Sequence, residues 1–333
     1  MKRLILDGES RVTMADAPEP VAGPGEVVIQ TAVSALCGSE LHDYRSGGVA
    51  GGNNGHEAAG WVRALGAGVT GLTVGQRVGV SAIAGCGHCT YCALGQYTWC
   101  RGFSFYGNMH AEQFLAAANA CHPLPDDVAW EAGVLLTGDG LGVPYHTSTK
   151  LADSVRTVAV FGVGPVGLGS VLLQAHLGRR VIAVDRSATR LALARRLGAQ
   201  AVVQVDDGDP VAAVRALTDD TGADVCIEAA GRPESALACF AAVRTAGTVV
   251  FNGEQGALPI SPSEQFIRRD ITAVGAWFYH FGEYPAMLQL YRDGLRLHDL
   301  ITDRLPFADA ADAYARFAAG QTGKVLLRYT DEA

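Results

Sequence analysis

The sequence is poor in positive charge, and its apolar stretches are short or broken by glycine. It carries 26 Lys and Arg against 34 Asp and Glu among 333 residues, a formal net charge of -8, and no basic run offsets this balance. Nucleic-acid binding depends on clustered Lys and Arg, so we expect no nucleic-acid partner. The uncharged stretch 157–178 contains several glycines and a proline, which favours a buried strand, turn and helix over a membrane span.

Other features that the sequence lacks narrow the architecture. The first ten residues have too short an apolar core for a secretory signal, so we expect a cytoplasmic protein. No internal repeat and no low-complexity segment is present, which argues against solenoids and long linkers. The length exceeds the size at which one hydrophobic core stops growing, and we expect two domains with a cleft.

Two sequence patterns divide the chain. Residues up to about 136 are rich in glycine and in short apolar runs between turn residues, which is typical of a β-rich domain. Farther on, strands alternate with helical spacing, which predicts an α/β fold with a doubly wound parallel sheet. The expected strands of this sheet are 157–161, 180–184, 201–205, 224–228, 247–251 and 271–275. The run 325–329 has no partner nearby in sequence, so we expect it to return to the first domain.

A glycine-rich turn marks the start of the parallel sheet. The run Gly162-Val163-Gly164-Pro165-Val166-Gly167 follows an apolar strand and precedes a helical segment. In this context Gly162 permits the tight turn, Gly164 lets backbone amides approach a pyrophosphate, and Gly167 allows close helix packing. The turn therefore predicts a dinucleotide site; the alternative, a bare glycine-rich loop, does not explain the strand and helix on either side.

The choice of dinucleotide depends on Asp185 at the end of the second expected strand. A carboxylate there can accept hydrogen bonds from both adenosine ribose hydroxyls and repels a 2′-phosphate, which favours NAD over NADP. Arg186 and Arg190 follow closely and could partly compensate such a phosphate. The alternative role for Asp185 is the N-cap of the helix expected over 187–197.

The cysteines indicate a metal site of the structural kind. Eight are present, and four have short, regular spacing: Cys86, Cys89, Cys92 and Cys100. Four thiolates close a zinc tetrahedron with no open position, and the metal would order a segment with few apolar residues. Unligated thiols are one alternative. A zinc ribbon that binds nucleic acid is another, but Arg101 is the only Lys or Arg in 81–107.

Cys37 and His56 indicate a second metal site. They are separated from the four-cysteine segment and supply two ligands; Asp139 is the best candidate for the third, and Glu57 is another. Three protein ligands leave a fourth position for a substrate oxygen or water, as in a catalytic zinc site. Taken alone, His56 is more often a turn histidine than a ligand.

These motifs together resemble the zinc-dependent medium-chain dehydrogenase/reductase superfamily over essentially the whole chain. The resemblance rests on 37–42, 55–60, the cysteine segment and 162–167, which occur in the family's order. Asp139, shortly before His146, makes the sequence most similar to the polyol (sorbitol-type) and threonine dehydrogenase branch. The resemblance implies a GroES-like β-rich catalytic domain over 1–143 with a structural zinc lobe at about 81–107. A Rossmann domain over 144–276 and a return to the catalytic domain over 277–333 complete the expected organisation.

The resemblance also implies residue roles. Cys37, His56 and Asp139 would hold the catalytic zinc, with Glu57 as an exchangeable ligand. Ser39 would take the alcohol proton and His42 would release it; the alternatives are helix capping and ordinary surface exposure. Further dinucleotide contacts are implied at Pro165, Val166, Arg186, Arg190, Asn252, Gly253, Glu254, Ala276 and Trp277. Lys324 would offset charge near Glu57, or be solvated.

Two positions depart from the family pattern. Glu40 stands where the family usually has an aspartate that would orient His56, and it is one methylene longer. The stretch 47–55 lacks the proline that often precedes the histidine motif. Residues 82–84, Tyr106 and 277–279 are candidates for the lining of a partly aromatic pocket, and core packing is the alternative explanation for the aromatic ones.

The sequence therefore predicts a zinc-dependent oxidoreductase that transfers a hydride between NAD and a secondary alcohol, polyol, sugar alcohol or amino alcohol. The alternatives are an NADPH-dependent aldehyde or ketone reductase and a non-catalytic dinucleotide-binding redox sensor. We expect two zinc ions per chain, a small-molecule alcohol or carbonyl substrate, and a homodimer or homotetramer with contacts in 260–269 or 272–279.

Overall fold

The computed structural model describes residues 1–330 and divides the chain into two compact units. Unit 1 comprises Met1–Gly142, Phe278–Asp293 and the chain from Ile301 onward; unit 2 comprises Val143–Trp277 and Gly294–Leu300. The stretch 294–300, expected in the returning segment 277–333, thus belongs to unit 2, because Leu297 and Leu300 are buried in a turn that contacts the helix Pro165–His176. Residues 331–333 of that expected segment lie outside the described residues.

Strands and helices follow one another throughout the described chain. The strands are β1 (Lys2–Gly8), β2 (Arg11–Asp16), β3 (Glu26–Ala35), β4 (Ala58–Leu65), β5 (Arg77–Val80), β6 (Ile83–Ala84), β7 (Ser104–Phe105), β8 (Gln113–Ala117), β9 (Cys121–Pro123), β10 (Thr157–Phe161), β11 (Arg180–Asp185), β12 (Ala201–Gln204), β13 (Ala223–Glu228), β14 (Val243–Phe251), β15 (Thr272–Gly275), β16 (Ile301–Pro306) and β17 (Lys324–Arg328). The α-helices are α1 (Glu40–Arg45), α2 (Thr90–Ala93), α3 (Trp130–Leu136), α4 (Gly142–Ser148), α5 (Pro165–His176), α6 (Ala188–Arg196), α7 (Pro210–Ala216), α8 (Pro233–Ala242), α9 (Tyr284–Arg292) and α10 (Ala310–Ala318).

Unit 1 is built on a seven-stranded sheet in the order β16-β17-β3-β4-β5-β9, with β8 also paired to β3. The expected C-terminal strand is present as β17. Antiparallel pairing places the end of β3 beside the starts of β4 and β17. Because Cys37 follows β3, His56 and Glu57 precede β4, and Lys324 opens β17, these four residues meet at one end of the sheet.

Apolar residues of the sheet strands fix this arrangement. Ten-residue β3 is buried along most of its length, and its Val27 and Ile29 pack in one cluster with Val62, Val78 and Phe114 from neighbouring strands. A second cluster joins β1, α10 and β17 through apolar side chains that include Leu4, Leu6, Phe317, Val325 and Leu327. Burial of both clusters removes a large apolar area from water, the main favourable term for this unit.

Unit 2 contains six parallel strands in the order β12-β11-β10-β13-β14-β15. This is the doubly wound arrangement, and the predicted α/β class is confirmed. Strands β10 and β11 are nearly continuous buried apolar runs, as expected where helices cover both faces of a parallel sheet. Within residues 1–330, none of the helices combines the length and apolar character needed to cross a membrane.

The close pairing of β3 with β4 generates a prediction at Gly60. A Cβ added to Gly60 would lie 2.0 Å from the carbonyl oxygen of Gln30, a backbone atom that cannot move aside. We expect Gly60→Ala to lower the free energy of unfolding by about 1–3 kcal/mol or more through this overpacking. Thermal unfolding measures this loss of stability, with Gly256→Ala as the control because its added Cβ would enter open space. Equal melting temperatures for both variants would contradict the register of β3 and β4.

Candidate active site

Four potential metal ligands converge at the end of the unit 1 sheet. The ligand atoms of Cys37, His56, Glu57 and Asp139 all lie within 4.8 Å of one another, and all four residues are buried. Asp139 comes from the loop between α3 and α4, and its Oδ2 lies 3.1 Å from His56 Nε2 and 3.2 Å from Cys37 Sγ. The structure therefore brings together the two ligands and both candidates for the third.

The electrostatics of this cluster are unfavourable without a cation. Burial raises the pKa of the Cys37 thiol, and the Asp139 carboxylate raises it further. Burial likewise raises the pKa of Glu57, although Lys324 opposes the shift. Burial alone would lower the pKa of His56, but the Cys37 sulfur and Asp139 raise it well above its usual value. Each ionised acid in this cluster thus makes the next harder to ionise.

A zinc ion fits this set of donors. Sulfur, imidazole nitrogen and carboxylate oxygen are the ligands that zinc takes in proteins. Glu57 Oε2 and Asp139 Oδ1 are buried and have no hydrogen-bond partner, as expected of oxygen atoms that are positioned to bind a metal. A divalent cation would favour the ionised forms of Cys37, Glu57 and Asp139, because its charge offsets the repulsion among them.

Lys324 lies against the cluster instead of in solvent. Its Nζ donates to Glu57 Oε1, and its side chain is 1% exposed. The expected contact near Glu57 is present, and the alternative of a solvated lysine is wrong. The absence of a side chain at Gly138 leaves space for the other carboxylate oxygen of Glu57, because a Cβ at position 138 would lie 2.5 Å from Glu57 Oε2.

The orientation of His56 is set by the backbone. Its Nδ1 lies 2.8 Å from the carbonyl oxygen of Asn54, which directs Nε2 toward the cluster. The role that the resemblance implies for an aspartate at position 40, orienting His56, is not performed by Glu40. Glu40 instead accepts hydrogen bonds from the Cys37 backbone N–H and from His110. Although burial opposes it, His110 lowers the pKa of Glu40.

Ser39 and His42 lie at the first turn of α1, directly after Cys37. Both are exposed, and Ser39 occupies the N-cap position without a side-chain capping bond. Its hydroxyl is therefore not used for helix capping, the alternative that the sequence left open.

Two phenylalanine rings flank His56. Ring centroids of Phe105 and Phe278 lie 6.0 and 5.7 Å from that of His56. Phe278 has φ 51°, a left-handed conformation that bulky residues rarely adopt and that often marks functional sites. Tyr106 bonds Glu26, and Tyr279 is buried against the Thr137 carbonyl, so both have packing roles. Phe105 was missed because only tertiary structure brings it to His56.

The four closely spaced cysteines form a separate cluster. Cys86, Cys89, Cys92 and Cys100 are free thiols whose sulfurs lie within metal-binding reach of one another. The sulfur of Cys89 caps α2 by accepting the Cys92 N–H, and the Cys86 N–H points at the Cys100 sulfur. The His88 backbone N–H, with smaller contributions from Cys100 and Cys89, lowers the pKa of Cys86 to about 6, whereas burial raises the pKa of Cys92 to about 12. Such N–H···S bonds favour thiolates, so this cluster fits a closed four-sulfur zinc site.

In unit 2, the expected dinucleotide residues lie after the C-terminal ends of parallel strands. The glycine turn follows β10 with Gly162 at φ 87°, and Pro165 opens α5. A Cβ on Gly167 would lie 2.0 Å from the Gly162 carbonyl oxygen, so this position requires glycine. Asn252, Gly253 and Glu254 follow β14; Ala276 and Trp277 follow β15. Ligands bind at this edge in open α/β sheets.

Asp185 ends β11 and reaches the glycine turn. Its Oδ2 accepts the Val163 N–H at 2.7 Å, and its Oδ1 accepts the Ser187 N–H at 2.8 Å. Ser187, and not Asp185, is the N-cap of α6, since its side chain accepts the Arg190 N–H. Arg186 is exposed and pairs with Asp206. The capping alternative for Asp185 is therefore wrong.

Comparisons with known proteins agree with this architecture. Residues 23–126 match the family model "Alcohol dehydrogenase GroES-like domain", and residues 165–293 match "Zinc-binding dehydrogenase". A probable D-xylulose reductase A of Neosartorya fischeri is 30% identical over 97% of this chain and 95% of that protein. The sorbitol dehydrogenase of Bacillus subtilis is 28% identical over 95% of this chain and 93% of that protein.

A solved structure extends the agreement to three dimensions. An alcohol dehydrogenase from Thermus sp. ATN1 superposes with a TM-score of 0.87 at 27% identity, covering 98% of this chain and 99% of that one. The predicted combination of a GroES-like β-rich domain and a Rossmann domain is confirmed. Since sequence similarity and fold agree over nearly its full length, the chain belongs to the zinc-dependent medium-chain dehydrogenase/reductase superfamily and is similar to its polyol dehydrogenase-like members.

Proposed function

We propose that this protein is an NAD-dependent zinc dehydrogenase that interconverts a secondary alcohol, polyol, sugar alcohol or amino alcohol with the ketone or aldehyde. The observation that carries the proposal is the buried cluster of Cys37, His56 and Asp139, with the unpartnered carboxylate oxygens of Asp139 and Glu57. Its relatives with polyol and alcohol dehydrogenase names support the substrate class.

In the proposed mechanism, Cys37, His56 and Asp139 would hold the catalytic zinc. Glu57 would be an exchangeable ligand, and its other oxygen accepts a hydrogen bond from Lys324. A bound zinc supplies Lewis acidity, which lowers the pKa of the substrate hydroxyl. The exposed Ser39 hydroxyl would accept the proton of that hydroxyl while passing its own proton on, and the exposed His42 would release one proton to solvent. A bound NAD would take up the hydride of the carbinol carbon, and with it the two electrons that the alcohol loses.

The preference for NAD is proposed from Asp185. Its carboxylate is held beside the turn by the N–H groups of Val163 and Ser187, where a 2′-phosphate would meet a like charge. The rest of the cofactor is proposed to bind the backbone of the glycine turn and three residues outside it. The turn residues are Gly162, Gly164, Pro165, Val166 and Gly167, and the others are Arg190, Asn252 and Trp277. A homodimer or homotetramer and a cytoplasmic location complete the proposal; the free thiols suit a reducing compartment.

Metal analysis tests the two proposed zinc sites. We expect two zinc ions per purified wild-type chain and one zinc ion per chain in each of the variants Cys37→Ser and Cys92→Ser. Cys37→Ser should also lose turnover while it keeps its fold. Elemental analysis and circular dichroism measure these outcomes, with Cys121→Ala as the control that keeps both ions. One zinc per wild-type chain, lost only in Cys92→Ser, would instead favour a non-catalytic dinucleotide-binding sensor.

Cofactor kinetics test the role of Asp185. We expect wild-type kcat/KM to favour NAD over NADP, and Asp185→Ala to reduce that preference by about 10- to 100-fold, since one charged hydrogen bond is worth roughly 1.5–3 kcal/mol. Glu234→Ala, which removes an exposed acid elsewhere in unit 2, should leave the ratio unchanged. A wild-type preference for NADP would support the reductase alternative.

Unfolding experiments test the buried Lys324–Glu57 pair. Lys324→Met leaves Glu57 buried and unpaired, so we expect a loss of about 3–5 kcal/mol in the free energy of unfolding. Lys324→Met combined with Glu57→Gln should recover most of this loss, because no lone charge remains. Urea unfolding of the two variants and wild type provides the measurement. A single variant as stable as wild type would show that the pair is not buried in solution.

A further inference from the structure

A buried polar network lies behind the Cys37 loop and is centred on Glu40. One carboxylate oxygen, Oε1, accepts the Cys37 backbone N–H at 3.0 Å. The other, Oε2, lies 2.9 Å from His110 Nε2 and accepts the Tyr314 hydroxyl. Glu40, His110 and Tyr314 are each 0% exposed. Three donors therefore meet one carboxylate where water does not compete, which makes these bonds strong.

The network continues beyond His110 to Ser34 and Tyr329. His110 Nδ1 lies 2.8 Å from Ser34 Oγ, and Ser34 Oγ lies 3.1 Å from the Tyr329 hydroxyl. The imidazole is thus held at both nitrogens, which fixes the plane of its ring. Glu40 consequently has a partner that cannot rotate away.

The same histidine contacts the backbone that presents the second zinc ligand. A Cβ added to Gly55 would lie 2.4 Å from His110 Cδ2, so the residue before His56 packs directly on the His110 ring. The Asn53 side-chain oxygen accepts both the Gly55 N–H and the His110 N–H. Glu40 and His110 therefore link the two loops that carry Cys37 and His56.

We propose that Glu40, His110 and Tyr314 form a positioning network that sets the spacing of Cys37 and His56. This spacing in turn sets the affinity of the site for its metal. This inference rests on the proposed zinc site. Glu40 acts through the Cys37 backbone and through His110, and it contacts neither substrate nor metal. Such supporting bonds typically change metal affinity by about 10- to 100-fold when removed.

The hydrogen bonds of the network depend on the length of the Glu40 side chain. Oε1 and Oε2 together bridge the Cys37 N–H and the His110 ring. Aspartate is shorter by one methylene, roughly 1.5 Å of carbon–carbon bond. Its carboxylate cannot reach both partners from the same backbone position, so Glu40→Asp is a severe change at this site.

Metal release from the intact holoenzyme tests the network. Zinc passing to a chromogenic chelator is followed over time in wild type, Tyr314→Phe, His110→Gln and Glu40→Asp. The phase missing in Cys37→Ser belongs to the Cys37 cluster, and the four-cysteine site serves as an internal reference in each sample. Tyr284→Phe is the matched control, since it removes another buried tyrosine hydroxyl of unit 1, bonded to the Pro123 carbonyl.

We expect the Cys37-cluster phase to quicken by about 10- to 100-fold in Glu40→Asp and His110→Gln, and less in Tyr314→Phe, while the four-cysteine phase keeps its wild-type rate. The thiolate-to-metal absorption band of the cobalt-substituted Cys37 site should shift in the same order. The proposal would be overturned if the Glu40, His110 and Tyr314 variants had wild-type release rates and band positions and only lowered melting temperatures, as in Tyr284→Phe. The network would then be purely structural. Wild type without a Cys37-cluster phase would instead refute the proposed zinc site.

Discussion

Three buried acidic groups, one thiol and two carboxyls, share one end of the unit 1 sheet, and ionising all three together is electrostatically unfavourable. Their ligand atoms lie within 4.8 Å of one another, and Lys324 pairs with only one of them, Glu57. Such an arrangement is costly in a low-dielectric interior unless a cation joins it. The sheet register holds these groups together, because strands β3, β4 and β17 all begin or end there. The fold therefore maintains a site that a divalent metal completes.

The two cysteine-containing clusters differ in what surrounds their ligands. The cluster of Cys86, Cys89, Cys92 and Cys100 supplies four sulfurs from one short segment and leaves no ligand position open. The Cys37 cluster draws its ligands from three separate loops and includes a glutamate that is already bonded to a lysine. Ligands from separate loops depend on supporting contacts for their spacing, and the hydrogen bonds among Glu40, His110, Tyr314 and the Cys37 loop are contacts of this kind.

Much of this could be predicted from the sequence because the signals are local. The six parallel strands, the glycine turn and the four-cysteine spacing each depend on neighbouring residues, and the α/β class followed from them. The convergence of Cys37, His56 and Asp139 was expected through family resemblance. The supporting contacts could not be predicted in the same way. Glu40 lies 70 residues from His110 and 274 from Tyr314, and no local pattern indicates such pairs.

Tertiary partners decided three points that the sequence left open or placed differently. The family resemblance implies an aspartate at position 40 that orients His56, whereas here the Asn54 carbonyl does so and Glu40 bonds to the Cys37 loop and His110. Lys324 could have been solvated, but the buried Glu57 charge retains it. The stretch 294–300 was expected in unit 1, yet its leucines are buried in unit 2. In each case a tertiary partner decided the outcome.

The most direct test of the account is anomalous diffraction at the zinc absorption edge from crystals of the purified protein. We expect two zinc peaks per chain, one among the four closely spaced cysteines and one bounded by Cys37, His56 and Asp139. A single peak at the four-cysteine site, in protein that oxidises an alcohol at full rate, would contradict it.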